Sequence, residues 1–209
     1  MKTLFAATLF VLSSASAFAQ TSSGTVVVSG SVGFAQQAYE RTNFDGNSTN
    51  IQVFPSIGYF YKDRLEVGIS TGFSFGRNTS KSEDGEYISK SYNISAGPYI
   101  RKYLPITEKL FFTASAGLSA GIGSAKTKAF QNESFGEPSR SFTYGISAAP
   151  GLTYFATEKL GLFVSIGQVY FSRSTTRLEP TDTKSTETYF NADVSPSSSS
   201  IGLRYLINR

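Results

Sequence analysis

Apolar and polar residues alternate along most of this chain with a period of two residues, not the 3.6 residues of a helix. The alternation is clear after residue 64, where Leu65, Val67 and Ile69 are separated by small or polar residues. Successive side chains of a strand point to opposite faces of a sheet, so each such segment is predicted to be a strand with one apolar face. Eight segments fit this pattern: 24–35, 48–61, 65–76, 89–104, 110–125, 140–155, 160–172 and 188–207.

The connections between these segments alternate in length. Three stretches, beginning at Pro55, Pro98 and Pro150, repeat an aromatic-rich strand, a tight charged turn and a second alternating strand. Three short and four long connections predict an all-β, eight-stranded, antiparallel up-and-down barrel with both termini at the short-turn end. Outer-membrane barrels have this layout, with short periplasmic turns and longer external loops. The short connections are 62–64, 105–109 and 157–159, and the long polar ones are 36–47, 77–89, 126–139 and 173–187.

The last predicted strand changes phase along its length. Phe190 and Ala192 place apolar side chains at even positions, whereas Leu203 and Tyr205 place them at odd positions. One additional residue moves every following side chain to the opposite face. We therefore predict a bulge within 195–200.

The length of the strands favours a barrel whose apolar face is outside, against lipid. Strands of soluble proteins need about five to six residues, and these segments approach the length of tilted membrane-spanning strands. The alternative is a secreted soluble barrel of the lipocalin type, with the apolar face inside around an apolar ligand. Aromatic residues of the apolar face gather near both strand ends, as in the two girdles of membrane barrels. The girdle predicted near the short turns is Tyr59, Tyr61, Phe112, Tyr154 and Tyr205, and that near the long connections is Phe34, Phe75, Tyr92, Phe142 and Tyr170.

The first residues are predicted to be a secretory signal peptide. Met1-Lys2 is a basic start, an apolar run follows, and Ala17-Phe18-Ala19 matches an A-x-A cleavage site. The run is too short to span a bilayer as a helix. This divides the chain into a signal peptide, 1–19, and a barrel domain, 20–209. The chain contains no Cys, so neither a lipid anchor nor a disulfide framework is expected.

Charge and residue types limit the chemistry. The net charge is +4 and the charged residues are of both signs. No run of basic residues indicates nucleic-acid binding. There is no His, which removes Ser-His and Cys-His nucleophilic sites and His-based metal sites. Most remaining acids fall in the long connections. We expect no catalytic, cofactor or metal site, and the chain is not expected to be an enzyme.

Three charged residues are predicted to face the lumen. Glu66, Arg101 and Arg204 lie on the inward face near the short turns. A charge inside a narrow barrel needs a partner, so we expect a lumenal cluster that fills space and holds strand register. In an eight-stranded barrel side chains fill the interior, and no open pore is expected. A narrow channel and a membrane enzyme are the disfavoured alternatives.

Several segments resemble one protein family. They are Pro55-Ser-Ile-Gly-Tyr-Phe, Gly97-Pro-Tyr-Ile-Arg-Lys-Tyr-Leu-Pro, the Thr-Glu-Lys-Leu turns at 107 and 157, Ala149-Pro-Gly-Leu-Thr-Tyr-Phe and Ile201-Gly-Leu-Arg-Tyr. Over essentially the whole mature chain they resemble the outer membrane protein beta-barrel domain proteins common in Bacteroidetes, which are related in shape to the OmpA transmembrane domain and other small porin-family barrels.

The resemblance implies a location in the bacterial outer membrane and a mostly unassigned function, with no catalytic residues to transfer. The long polar connections favour a structural or loop-mediated surface-binding role, because loops on a rigid scaffold commonly carry binding. It also implies contact with the lipid bilayer and lipopolysaccharide, insertion by the barrel-assembly machinery, and an external ligand of unknown identity. Family members usually end on an aromatic residue, whereas here Tyr205 is followed by Leu206-Ile207-Asn208-Arg209. We therefore expect a weaker terminal assembly signal.

Overall fold

A computed structural model describes residues 21–41, 44–82, 85–128, 136–178, 183–193 and 200–207. The predicted signal peptide lies outside these residues. Among them no helix is long and apolar enough to cross a membrane. The strands are β1 (Val26–Arg41), β2 (Phe44–Lys62), β3 (Leu65–Ser82), β4 (Gly85–Pro105), β5 (Leu110–Lys128), β6 (Ser139–Phe155), β7 (Leu160–Ser165), β8 (Gln168–Leu178), β9 (Thr183–Asp193) and β10 (Ser200–Ile207).

The strands form one antiparallel ring with eight positions. Strands β1 to β6 each pair with the next, and β1 also pairs over Val26–Val32 with β10, which closes the ring through β7 to β6. Beyond that section, no pairing joins β1 to β9 among the described residues. Strands β7 and β8 both lie beside β6 and share one position in the wall. Strands β9 and β10 share another, since β9 pairs with β8 and β10 pairs with β7. The predicted eight-stranded up-and-down barrel is confirmed.

A bulge separates β7 from β8 and corrects the prediction of one continuous strand over 160–172. On β6, Gly151 pairs with Ser165 and Ala148 pairs with Val169, so two residues of β6 face three on the other side. Gly167 lies in this interval with φ 85°, a conformation that glycine adopts without steric cost. The additional residue exchanges the inward and outward faces between β7 and β8.

The faces of β9 and β10 are also exchanged. Asn191 and Asp193 of β9 line the lumen at odd positions, whereas Arg204 and Leu206 of β10 are buried in it at even positions. Nearly all of the segment in which a bulge was predicted, 195–200, lies outside the described residues.

Most of the chain predicted as long loops is strand. Strands β2 to β5 contain between 18 and 21 residues each, compared with predictions of about 12 to 16. The added residues, such as 77–82 and 85–88, are mostly polar on both faces, so alternation does not reveal them. The barrel wall therefore continues beyond its apolar section at this end.

The apolar residues of the wall point outward, which shows that the lipocalin-type alternative is wrong. Ile69, Ile94, Leu118, Ile146 and Leu203 each expose more than half of their surface. A soluble barrel would enclose such residues because their burial in the core drives its folding. The buried apolar core inside the ring is small and consists of Val27, Phe60, Tyr103, Phe111, Phe155 and Leu206.

Candidate functional site

A buried cluster of charged and phenolic side chains crosses the lumen near the short turns. Glu66 is fully buried, its Oε1 lies 3.1 Å from Nη1 of Arg101, and its Oε2 lies 3.2 Å from Nη1 of Arg204. The hydroxyl of Tyr103 donates to Oε2 at 2.5 Å, and that of Tyr99 donates to Oε1. We call these five residues the Glu66 cluster. Both oxygens of the carboxylate are thus occupied, by two cations and two hydroxyls.

Strand register brings most of the cluster together. Glu66 of β3 lies directly opposite Arg101 of β4, and the tyrosines flank Arg101 at alternate positions, so all three β4 side chains point inward. Arg204 reaches the carboxylate from β10. Gly58, on the neighbouring strand β2, leaves the required space, because a Cβ there would lie 2.5 Å from both Glu66 Oε1 and the Tyr99 hydroxyl.

Aromatic faces hold the two guanidinium groups in place. The guanidinium carbon of Arg204 lies 4.3 Å from the ring centroid of Phe163 and 5.5 Å from that of Tyr103, and that of Arg101 lies 4.8 Å from Tyr99. Cations are attracted to such ring faces. Arg204 Nε has no hydrogen-bond partner among the described residues, and Phe163 covers its guanidinium. The cluster has one negative and two positive formal charges and so carries a net charge of +1.

An aromatic floor closes the lumen at the short-turn end. Phe60 and Tyr103 have ring centroids 5.2 Å apart, Tyr103 and Phe111 are 6.1 Å apart, and Phe111 and Phe155 are 5.6 Å apart. All four are essentially inaccessible to solvent. The rings come from β2, β4, β5 and β6, so they cross the interior in one continuous layer.

The other half of the lumen contains a cavity of about 850 Å³, and many residues of its wall carry hydroxyl or amide groups. The expectation that side chains fill the whole interior is therefore wrong for this half, because serines and glycines occupy many inward positions. Arg101, whose side chain is 14% exposed, and Tyr99 lie among its walls, and Phe54 exposes its ring to it. Other polar residues of its wall include Asn50, Gln52, Asn93, Ser95 and Thr143.

The predicted girdle residues occupy the outer face with one exception. Tyr170 lines the cavity, so its place in the outer girdle was wrong. The reason is the bulge at Gly167, after which Val169 and Phe171 are the exposed apolar residues of β8. The residues placed outward are Tyr59, Tyr61, Phe112, Tyr154 and Tyr205 toward the short turns, and Phe34, Phe75, Tyr92 and Phe142 toward the other end.

Two features of the site were not predicted. The sequence analysis did not assign Tyr99 and Tyr103 to the lumenal cluster, and their bonds to Glu66 were not foreseen. The available signal was their spacing, since Tyr99, Arg101 and Tyr103 occupy alternate positions on one face of the same strand. Outside the lumen, basic residues on three neighbouring strands border an outer concavity, and only the register of pairing reveals that they are neighbours.

Across the described ranges, no group of three or more acidic residues is placed to hold a metal ion.

Comparison with known proteins gives one family match. The family model described as "Outer membrane protein beta-barrel domain" matches residues 5–205. No curated protein matches the chain in sequence.

Several solved structures are similar to the chain. The outer membrane protein OprG from Pseudomonas aeruginosa is 13% identical, with 91% of this chain and 99% of that chain covered and a TM-score of 0.49. The N-terminal beta-barrel domain of OprF from the same organism is 16% identical, with coverages of 88% and 98% and a TM-score of 0.37. Ail of Yersinia pestis is 18% identical, with coverages of 88% and 99% and a TM-score of 0.34.

Proposed function

Because the chain belongs to the outer membrane protein beta-barrel domain family, we propose that it is a non-conducting, non-catalytic outer-membrane barrel that binds ligands at the cell surface. The protein resides in the outer membrane. Its membrane wall is the apolar outer face. The binding surface we propose is the polar end of the barrel: the cavity above Arg101 together with the strand extensions and the turns between them.

The aromatic floor is the observation that carries this proposal. Short turns of outer-membrane barrels face the periplasm, so the floor of Phe60, Tyr103, Phe111 and Phe155 lies on the periplasmic side. Above it, the Glu66 cluster fills the lumen with paired charges that are costly to separate. The cavity lies beyond this layer, on the side away from the periplasm. This arrangement favours a cup-shaped binding site for a ligand over a path for ions.

The chemistry of the lumen supports a non-catalytic role. A hydroxyl nucleophile needs an adjacent base, and the chain has no His. The buried carboxylate of Glu66 already accepts bonds from Arg101, Arg204, Tyr99 and Tyr103, so it has no free oxygen with which to take a proton from a substrate. The exposed serine hydroxyls and side-chain amides of the cavity are suited to hydrogen bonding with a hydrophilic ligand.

Bilayer lipid and the barrel-assembly machinery are the partners that we propose for this protein. Leu203, Tyr205 and Ile207 of β10 are about half exposed on the outer face, which suits contact with lipid acyl chains. The same strand closes the ring against β1, so its docking is the step for which assembly assistance would be needed.

Planar-bilayer recording of the purified protein tests the central proposal. We expect no stable conductance from the native chain or from Phe54→Ala, which changes an aromatic residue of the cavity and leaves the floor intact. A variant with Phe60→Ser, Phe111→Ser and Phe155→Ser removes three rings of the floor and is expected to pass ions. Stable, reproducible channels formed by the native protein would contradict a non-conducting role.

A further inference from the structure

Three basic residues form a row across the outer face of the barrel. Arg77 of β3 lies directly opposite Lys90 of β4, and Lys90 lies directly opposite Lys126 of β5. Side chains directly opposite each other on one face have Cβ atoms about 4.5–5.5 Å apart. The three cations, which we call the basic row, are therefore close enough to contact one anionic group or two adjacent ones.

Opposite charges face each other farther along the same strands. Lys81 lies opposite Glu86, and the two form an ion pair with Nζ 3.8 Å from Oε1. Like charges in opposite positions of a sheet repel one another, and an anion lying over the basic row would be attracted to all three cations. Charge complementarity thus indicates a negatively charged ligand.

An apolar concavity of about 510 Å³ lies next to the basic row on the outer wall. Ile51, Phe75 and Tyr92 line it, and each leaves roughly half of its side chain exposed. The same concavity is bordered by all three residues of the basic row. A ligand that fits both parts must join an anionic head to an apolar body.

The height of the concavity on the barrel identifies where such a ligand would lie. Phe75 and Tyr92 belong to the aromatic residues at the end opposite the short turns, and Arg77 and Lys90 are the next outward-facing residues beyond them. Since short turns face the periplasm, this is the level at which the outer leaflet changes from acyl chains to headgroups. Basic side chains at such a boundary bind anionic lipid headgroups.

We propose that this concavity is a binding site for a phosphorylated glycolipid of the outer leaflet. Its phosphate groups lie on Arg77, Lys90 and Lys126, and its acyl chains pack against Ile51, Phe75 and Tyr92. The site depends on residence in the outer membrane but is independent of whether the lumen conducts ions, so the two proposals are tested separately.

Native mass spectrometry of the protein in detergent tests the site, with bis-phosphorylated lipid A as the probe. We compare the native chain with the triple variant Arg77→Gln, Lys90→Gln and Lys126→Gln. The matched control is Lys62→Gln, Lys109→Gln and Lys159→Gln, which removes the same charge from exposed lysines at the opposite end. Retention of the circular-dichroism strand signal and of the heat-modifiable gel band shows that each variant is folded.

We expect the triple variant of the basic row to bind the phosphorylated lipid at least about tenfold more weakly than the native chain. The control variant should bind like the native chain, and dephosphorylated lipid A should bind weakly to both. Phe75→Ser with Tyr92→Ser should weaken binding while all three cations remain. Millimolar inorganic phosphate should not displace the lipid.

Three results would overturn the proposal. Equal binding by the native chain and the basic-row variant would show that the cations do not hold the lipid. An equal loss in the control variant would indicate general charge attraction without a site. Full displacement by inorganic phosphate would show that the basic row binds free phosphate and not a lipid.

Discussion

Glu66 Oε1 lies 3.1 Å from Arg101 Nη1, and 35 positions separate the two residues in the sequence. The pair lies across β3 and β4, and Arg204, 138 positions from Glu66, joins it from β10. One carboxylate therefore connects strands from opposite ends of the chain. A shift in the register of β3 against β4 would separate Glu66 from Arg101, so the cluster favours a single pairing of the wall.

Glu66→Gln should be strongly destabilising. The amide cannot balance two buried guanidinium groups, and breaking a buried ion pair from one side costs about 3–5 kcal/mol. The free energy of unfolding, measured by urea titration of the refolded protein in detergent micelles, should fall by this amount.

The matched control is Glu86→Gln, which removes the exposed partner of Lys81. Exposed pairs contribute little, so a change within about 0.5 kcal/mol is expected. Equal losses from the two variants would show that the Glu66 cluster does not stabilise the barrel.

Two adjacent residues of β6 test which face meets lipid. Ile146 exposes 52% of its surface on the outer wall, and Ser147 lines the cavity. Arginine on the lipid face near the bilayer midplane costs about 2–4 kcal/mol. Ile146→Arg should therefore reduce the yield of the heat-modifiable folded band far more than Ser147→Arg, and equal yields would contradict the assigned faces.

Glycines of the wall differ in how closely the chain packs against them. A Cβ added at Gly121 would lie 2.8 Å from the carbonyl oxygen of Ile94 and 2.8 Å from the Cβ of Ser95, whereas one at Gly30 would meet no atom within 4 Å. Overpacking costs about 1–3 kcal/mol, so Gly121→Ala should lower the urea midpoint. Gly30→Ala should leave it unchanged or raise it, because alanine loses less entropy than glycine on folding.

Single cysteines can test the face exchange after Gly167, since the chain has no Cys of its own. Tyr170→Cys is expected to react with a small water-soluble maleimide, because this position lines the cavity. Phe171→Cys lies on the outer wall and should be protected in a bilayer. The opposite labelling pattern would contradict the bulge and support the uninterrupted strand predicted from the sequence.

The apolar section of the barrel was predictable because lipid and lumen impose opposite demands on alternate residues. Ile69, Ile94 and Ile146 point outward as their periodicity predicts. Where that contrast ends, at 77–82 or 85–88, the strands continue without a pattern and were predicted to be loops. The bulge at Gly167 was missed because apolar residues occur at both parities around it.

The sequence was enough to identify Glu66, Arg101 and Arg204 as lumenal charges, because charged residues are rare at inward positions. Their partners could not be assigned fully, because Tyr99 and Tyr103 resemble other inward aromatic residues until the register with Glu66 is known. Likewise Arg77, Lys90 and Lys126 are far apart in sequence, and only antiparallel pairing aligns them. Contacts across strands therefore carried the information that residue patterns lacked.

The extension of β2 to β5 into polar sequence has an immunological consequence. With the polar end outside, as we propose, a cell surface bearing this protein would present residues from neighbouring strands side by side, as in the rows that join Thr79 to Asn47 and Ile88. Epitopes there are assembled from discontinuous parts of the chain. Sera raised against linear peptides of 77–82 or 85–88 should stain denatured protein on a blot but not intact cells, whereas sera raised against the folded barrel should do the reverse.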